Sequence, residues 1–550
     1  MQNKPFSIRL TLSAILVAFA VSVPFFAQTD PSKANLLRGE YGRYRANNDL
    51  INYNLSVRID PVQKTIKGTN TIKFKMLKDD NRIQLDLYDN LNVDKISMGS
   101  KALKYTRDLG TVYVDFPQML KAGKVYSIDF GYSGTPKTTG RFGGFVFGTD
   151  PKGRPWIFTA CEGEGASIWW PNKDTWHDEV ENMKLSVAIP SDLVDASNGR
   201  FIGKKDLGDG YTRWDWMINY PINNYNVSVN IGKYEHFSDK YKDLTLDFYA
   251  QPEDLDKAKT QFAQAKGMIE AFEHYFGEYP FKKDGYKLIQ VPYSGMEHQS
   301  AVTYGNLFEN GYLKRDWTGV GISPKFDFII IHESGHEWFG NAVSAADRAD
   351  MWIQEGWTTY LECLFVEYSY GHDDYMKYTN AYVKKIQNRT PIIPQRGINA
   401  TPPQDMYFKG ALFIHTLRNI VDDDKKWFAT MKDFFQKFKY QNIMTEDVEA
   451  FFSERMGRNM KAVFDQYLRR TAVPKLELQI LDFTGRMSYR WKADEPGFDM
   501  PVKVGTKNNW TVIYPTTIWK SMDTAVKLED FQVATDLFYV EFSKVEAQTD

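Results

Sequence analysis

HESGHEWFGN, residues 332–341, is the stretch whose reading decides what this chain is. It places His332 and His336, two of only eight histidines in 550 residues, four positions apart with Glu333 beside the first. On a helix, positions i and i+4 share one face, so both imidazoles can reach one ion. The surrounding PKFDFIIIHESGHEWFGNAV predicts that helix, with Pro324 near its start and an apolar stripe along it. Glu333 falls on an adjacent face, suited to handling a proton rather than binding the metal. Catalytic zinc needs a third protein ligand and an open fourth position. Glu355, in DMWIQEGWTTYLE, is the candidate: the eighteen residues between it and His336 allow one helix to end and a second to return. Two ordinary surface histidines on a helix are the competing reading of the short motif alone.

Working outward, 550 residues exceed what one hydrophobic core holds, so two to four domains are expected. Lys plus Arg (68) balance Asp plus Glu (70), which removes a global electrostatic case for nucleic acid. The N-terminus differs from the rest. Lys4 and Arg9 precede LTLSAILVAFAVSVPFFA, which carries no charge; Pro24 falls near its end and QTDPSK follows. This describes a secretory signal peptide over residues 1–27, with cleavage at Ala18-Phe19-Ala20 or Ala27-Gln28. An uncleaved anchor is the alternative. The expected product is exported, periplasmic or secreted, with no stable membrane insertion after cleavage. Cys161 and Cys363 are the only cysteines, read as two reduced, buried thiols.

From about residue 45 the apolar period is two. YNLSVRID alternates Tyr53, Leu55, Val57 and Ile59, and TIKGTNTIKFKM places Ile66, Ile72, Phe74 and Met76 on one face. RIQLDLY, TVYVDF and KLSVAI continue it, giving an N-terminal β domain over 45–235. The period changes to three and four in EDLDKAKTQFAQAKGMIEAFEHYFG, read as one amphipathic helix ended by Gly277 and Pro280. Helical patterns are read from there to 472, so the catalytic domain is assigned 236–472. Alternation returns in KLELQILDF, MSYRW, WTVIY and LFYVEF, a small C-terminal β module over 473–550.

The motifs together resemble the zinc aminopeptidase family that includes aminopeptidase N and leukotriene hydrolase. That family carries H-E-x-x-H-x-W-F-G-N-x-V, then W-x-D-x-W-L-x-E-G-F. Residues 332–343 and 350–357 follow the pattern, with Arg348 in place of the first tryptophan, a packing change that spares the ligands. PYSGMEHQS resembles the family's G-x-M-E-N, keeping Gly295, Met296 and Glu297 but placing Ser294 and His298 where the family has glycine and asparagine. TACEGEG is similar to T-Q-x-E, with Ala160 replacing glutamine and Glu162 in the position of the glutamate; Glu164 is a near neighbour. DMYFKGALFIHTL supplies the Y-x-K-G element as Tyr407, Lys409 and Gly410.

The resemblance implies a multidomain α+β chain: a saddle-like β domain, a thermolysin-like α/β catalytic domain and a small β-sandwich, without the helical cap of longer relatives. The site is then more open or is closed by another subunit, so an oligomer is possible. It implies one Zn2+ per chain held by His332, His336 and Glu355, with Glu333 as general base and Tyr407 donating to the oxyanion. Glu162 and Glu297 are implied to hold a substrate's free α-amino group, Gly295 and Met296 its backbone, and Tyr293 to line the pocket for the first side chain. The expected activity is removal of residues from peptide N-termini. A lipid epoxide hydrolase, an endopeptidase and a catalytically weak peptide-binding protein are the alternatives, the last disfavoured because Glu333 and all three ligands are present.

Overall fold

The computed structural model describes residues 31–139, 143–481, 485–507, 509–527 and 529–544. The expected signal peptide lies outside them. Among the described residues no helix is long and apolar enough to cross a membrane. The architecture is a sheet-rich N-terminal region, a largely helical middle region and further sheets at the C-terminal end, which bears out the α+β expectation.

The period-two segments form the N-terminal sheets. Strands Asn48–Asp60 and Thr65–Met76 pair antiparallel in an eight-stranded sheet, and Asn48–Asp60 pairs parallel with Asn182–Pro190 on its other side. Tyr53, Leu55, Val57, Ile59, Ile66, Ile72, Phe74 and Met76 are all buried, as alternation requires of a sheet covered on one face. A five-stranded sheet carries Pro155–Ala160, whose end delivers Glu162.

The amphipathic segment from 255 is two helices, Leu255–Phe262 and Gln264–Phe276, interrupted at Ala263; Gly277, with φ +97°, ends the second as expected. The stretch after it is not helical. Strands Tyr286–Gln290, Gly295–Met296 and Val302–Tyr304 join Glu235–Tyr241 and Leu244–Ala250 in a second five-stranded sheet. These strands are two to five residues long and wholly buried, so they carry no alternation for a sequence reading to detect. At the C-terminal end a four-stranded and a three-stranded sheet form from residues 475–544. LFYVEF is only partly strand: pairing begins at Glu541, while Phe538 and Val540 are buried ahead of it. Cys161 and Cys363 are both free and buried.

Three helices position the site: α1 (Phe328–Gly335), α2 (Trp352–Tyr370) and α3 (Asp405–Val421). Pro324 sits in a separate 3-10 turn, and α1 is started instead by Asp327, whose carboxylate accepts from the Ile329 and Ile330 amides at 3.0 and 3.2 Å. The same buried carboxylate accepts from Gln261 at 2.6 Å, Tyr304 at 2.7 Å and Asn306 at 2.9 Å. It therefore welds the metal-site helix to the sheet and to the preceding helix. Between α2 and α3, Gly356 and Gly410 face each other. A Cβ on Gly356 would lie 3.1 Å from the Met406 carbonyl and 3.2 Å from the Gly410 Cα, so a side chain here would push the two helices apart by a few tenths of an ångström.

Asp327→Ala removes a cap and strands three buried donors, and is expected to destabilise the protein by about 2–4 kcal/mol. Asp327→Asn, which keeps an acceptor for the cap, is expected to lose distinctly less. Urea unfolding of both variants checks this; equal losses would remove the capping account.

Candidate active site

His332 lies in the last turn of α1, and His336 is its C-terminal cap residue rather than part of its body. Both rings nevertheless point at Glu355 of α2. The His336 Nε2 is 3.2 Å and the His332 Nε2 3.6 Å from the Glu355 Oε2. The opposite nitrogens are tied down. His332 Nδ1 meets Glu362 Oε1 at 2.6 Å; His336 Nδ1 meets the Phe339 carbonyl at 3.0 Å and the Thr358 hydroxyl at 3.2 Å. Imidazoles that donate from Nδ1 to these acceptors present Nε2 lone pairs inward. The Glu355 Oε2 is buried without a hydrogen-bond donor. Three ligand atoms thus lie within 4.8 Å of one another, a set that, with both imidazoles deprotonated at Nε2, fits a tetrahedral zinc with its fourth position open.

The electrostatics agree. Burial works against a charge on either imidazole, yet the surrounding carboxylates prevail and pull both pKa values up, His336 to about 9. The site favours positive charge between its ligands. Glu362, which the sequence reading left without a role, is fixed by the Tyr378 hydroxyl at 3.3 Å and by the Tyr382 hydroxyl. Its signal is its spacing: seven residues, or two turns, beyond Glu355 on the same face of α2.

Glu333 faces a cavity of about 310 Å3 that His332, His336 and Glu355 also line. Burial raises its carboxyl to about 7, against the pull of His332. Gly295 and Met296 form the edge strand along this cavity, paired with Tyr304 and Thr303. A Cβ on Gly295 would fall 2.9 Å from the Glu333 Cγ, which explains the glycine. Glu297 follows, accepting from the Tyr225 hydroxyl at 2.9 Å, while Asn341 donates to its carbonyl at 2.8 Å. Tyr407 of α3 donates to Glu355 Oε1 at 3.0 Å, brought there by the Gly356–Gly410 contact three residues on.

Glu162 also lines the cavity, and its Oε1 is buried with no partner. Burial, then Glu297 and Glu355, push its pKa well above the usual carboxylate range, against Arg348 and His336. Glu164 turns away: its carboxylate and carbonyl accept from Tyr88. Tyr293 is not among the cavity-lining residues; its ring packs on Phe158 and its hydroxyl is held by Thr303 at 2.9 Å and the Thr159 carbonyl at 3.3 Å. Tyr293 is half-buried beside the edge strand, with its hydroxyl engaged within the protein. His298 is fully buried, lies outside the cavity lining, and has no partner for either nitrogen. Tyr312, Trp317, Phe328 and Phe408 give the cavity an aromatic side, beside Ile329, Thr359, Ser294 and Gln404; no motif announces it, because its members come from separate segments.

Residues 50–225 match the peptidase M1 N-terminal domain and residues 260–467 the peptidase family M1 domain. The chain belongs to peptidase family M1. It is 22% identical over 424 residues to a leucyl aminopeptidase of Saccharolobus solfataricus, covering 74% of this chain and 52% of that one. A probable aminopeptidase of Sulfurisphaera tokodaii is 23% identical over 313 residues, 54% of this chain and 39% of the relative. The chain spans about half the length of the curated relatives it matches, or less. Among solved structures, an M1 zinc metallopeptidase from Deinococcus radiodurans matches with TM-score 0.65 and 19% identity, covering 78% of this chain and 95% of that one. A mutant of it bound to a Tyr-Ser-Ala substrate matches with TM-score 0.64, 19% identity and coverage of 78% and 96%.

Glu362→Gln keeps size but weakens the acceptor behind His332, and is expected to lower zinc affinity about 10–100-fold. Competition against a chromophoric chelator measures it; unchanged affinity would exclude Glu362 from holding the ligand.

Proposed function

We propose that this chain is a zinc-dependent aminopeptidase, hydrolysing peptides from the free N-terminus. The observation that carries the reading is the pair Glu162 and Glu297 on the cavity that also holds Glu333 and the three-donor set. His332, His336 and Glu355 would hold one zinc ion. Zinc in a three-ligand site supplies Lewis acidity and makes a water acidic near neutral pH.

The chain's own residues do the rest. Glu333, with a carboxyl near neutrality, takes the proton from the attacking water and returns it to the leaving amine. Tyr407 exchanges its bond to Glu355 for one to the carbonyl oxygen as negative charge grows there. Glu162 and Glu297 receive the substrate's ammonium group, while the edge strand at Gly295 and Met296 offers backbone groups to the peptide. An internal peptide segment brings no cation, leaving both carboxylates uncompensated in a poorly solvated place, so exopeptidase action is favoured by penalty as well as by attraction. The aromatic wall suits large apolar side chains.

The uncharged run after Lys4 and Arg9 supports export of the mature protein to a periplasm or the medium.

One peptide in free and N-acetylated forms, with and without a zinc chelator, tests the function by mass spectrometry. Stepwise N-terminal loss from the free form alone, abolished by chelation, is expected. Internal cuts in both forms would make the chain an endopeptidase. Separately, Tyr407→Phe is expected to lower kcat about a hundred- to a thousandfold while zinc stoichiometry stays at that of the parent. Undiminished turnover would remove Tyr407 from the chemistry.

A further inference from the structure

Arg348 stands where the resembling family has tryptophan, and it is more than a filler. The side chain is buried, 8% exposed, in the 3-10 turn Arg348–Asp350 that precedes α2. Its Nη1 donates to the backbone carbonyl of Glu162. Its Nη2 reaches the Thr401 hydroxyl at 3.4 Å, on the segment leading into α3. The guanidinium carbon lies 4.9 Å from the ring centroid of Trp176, and Trp176 stacks on Tyr225 at 5.3 Å and 30°. Tyr225 is the residue that donates to Glu297. One cation therefore touches Glu162 directly and reaches Glu297 through two stacked rings.

The Glu162 turn is anchored further along at Glu164, whose carbonyl and carboxylate accept from the Tyr88 hydroxyl, while Arg348 meets Glu162 itself. The turn is closed by one backbone bond, Gly165 to the Cys161 carbonyl at 2.8 Å, and nothing packs within 4 Å of a Cβ placed on Gly163. The Glu162 carboxylate points into the cavity with a buried oxygen that no protein donor meets. A carboxylate that must wait for a ligand cannot be positioned by bonds to its own oxygens, so its backbone has to be fixed instead. A buried arginine beside it also offsets the cost of several carboxylates in one cavity.

We infer that Arg348 is the positioning residue of the ammonium socket: it fixes the Glu162 turn and, through Trp176 and Tyr225, the Glu297 carboxylate. It touches neither substrate nor metal ligands. The inference rests on the aminopeptidase reading, and the test separates the two.

The probes are leucine hydroxamate and its des-amino analogue, 4-methylpentanohydroxamic acid. Both chelate zinc through the same group, and only the first carries an ammonium. Calorimetric affinities for each are measured on the zinc-loaded full chain, as the parent, Arg348→Met and Arg348→Trp, the last restoring the residue of the family pattern. The parent is expected to favour leucine hydroxamate strongly. Both variants are expected to shrink that preference about tenfold, the scale of one weakened charge-assisted hydrogen bond, with affinity for the des-amino compound within about twofold of the parent. A parent without preference would overturn the socket itself and with it the role of Arg348. A parent with preference, retained in either folded variant, would overturn the role of Arg348 alone. Equal losses for both compounds would mean general damage and would likewise overturn it. Arg348→Trp keeps the test decisive if Arg348→Met does not fold.

Discussion

Everything at this site depends on holding three lone pairs against one another. The inward nitrogens of His332 and His336 converge on a Glu355 oxygen that has no donor of its own. Left free, these groups would turn away or take up protons. They stay because each imidazole is held from behind, one by Glu362 and the other by the Phe339 carbonyl and Thr358, so the rings have no better orientation available. Those supports lie mostly on α2, the helix that carries Glu355. Ligand and outer support are thus separated by whole helical turns of one rigid rod, and their relative placement follows from helix geometry.

The N-terminal sheets share in the chemistry. Glu162 leaves the end of strand Pro155–Ala160, and Tyr225 follows strand Tyr211–Ile218; both act on a cavity whose metal donors come from the helical region. The proposed ammonium socket of Glu162 and Glu297 thus lies where the two regions meet. Its integrity requires them to stay docked, which gives the buried contacts across the junction a functional as well as a structural role. Asn226 donating to Asn341 at 2.7 Å, and Asn198 donating to the Gln299 carbonyl at 2.8 Å, are such contacts. Buried amides paired across a junction resist sliding, because any slip leaves them unsatisfied.

Much of this was legible in the sequence where one element carries the whole signal. The spacing of His332 and His336, the return of Glu355 on a second helix, and the two-residue alternation of 48–76 all follow from local periodicity. What was not legible depends on tertiary partners. Nothing local shows that Asp327 and not Pro324 starts α1, because its value as a cap is multiplied by Gln261, Tyr304 and Asn306 arriving from elsewhere. The strands of 286–304 are too short and too buried to alternate. Tyr293 lies in a bend two residues before the cavity strand, and its hydroxyl is engaged by Thr303 and the Thr159 carbonyl, partners that only the fold brings to it. Arg348 reads as a packing change until Glu162, from a different region of the chain, is seen against it.

The two acidic residues of the socket are not equivalent, and the difference follows from their surroundings. Glu297 has a donor already, the Tyr225 hydroxyl, so part of its charge is satisfied before any ligand arrives. Glu162 has a buried oxygen with none, and burial drives its pKa well above the usual range. A substrate ammonium brings up to three donors. The greater gain on binding comes from the carboxylate that had least, because satisfying an unmet buried acceptor recovers its desolvation penalty whereas adding to a satisfied one does not. If the two hold a substrate ammonium as proposed, Glu162 gains more from a charged N-terminus than Glu297 does. On the proposed aminopeptidase reading, discrimination falls on Glu162, whose backbone carbonyl the buried Arg348 holds.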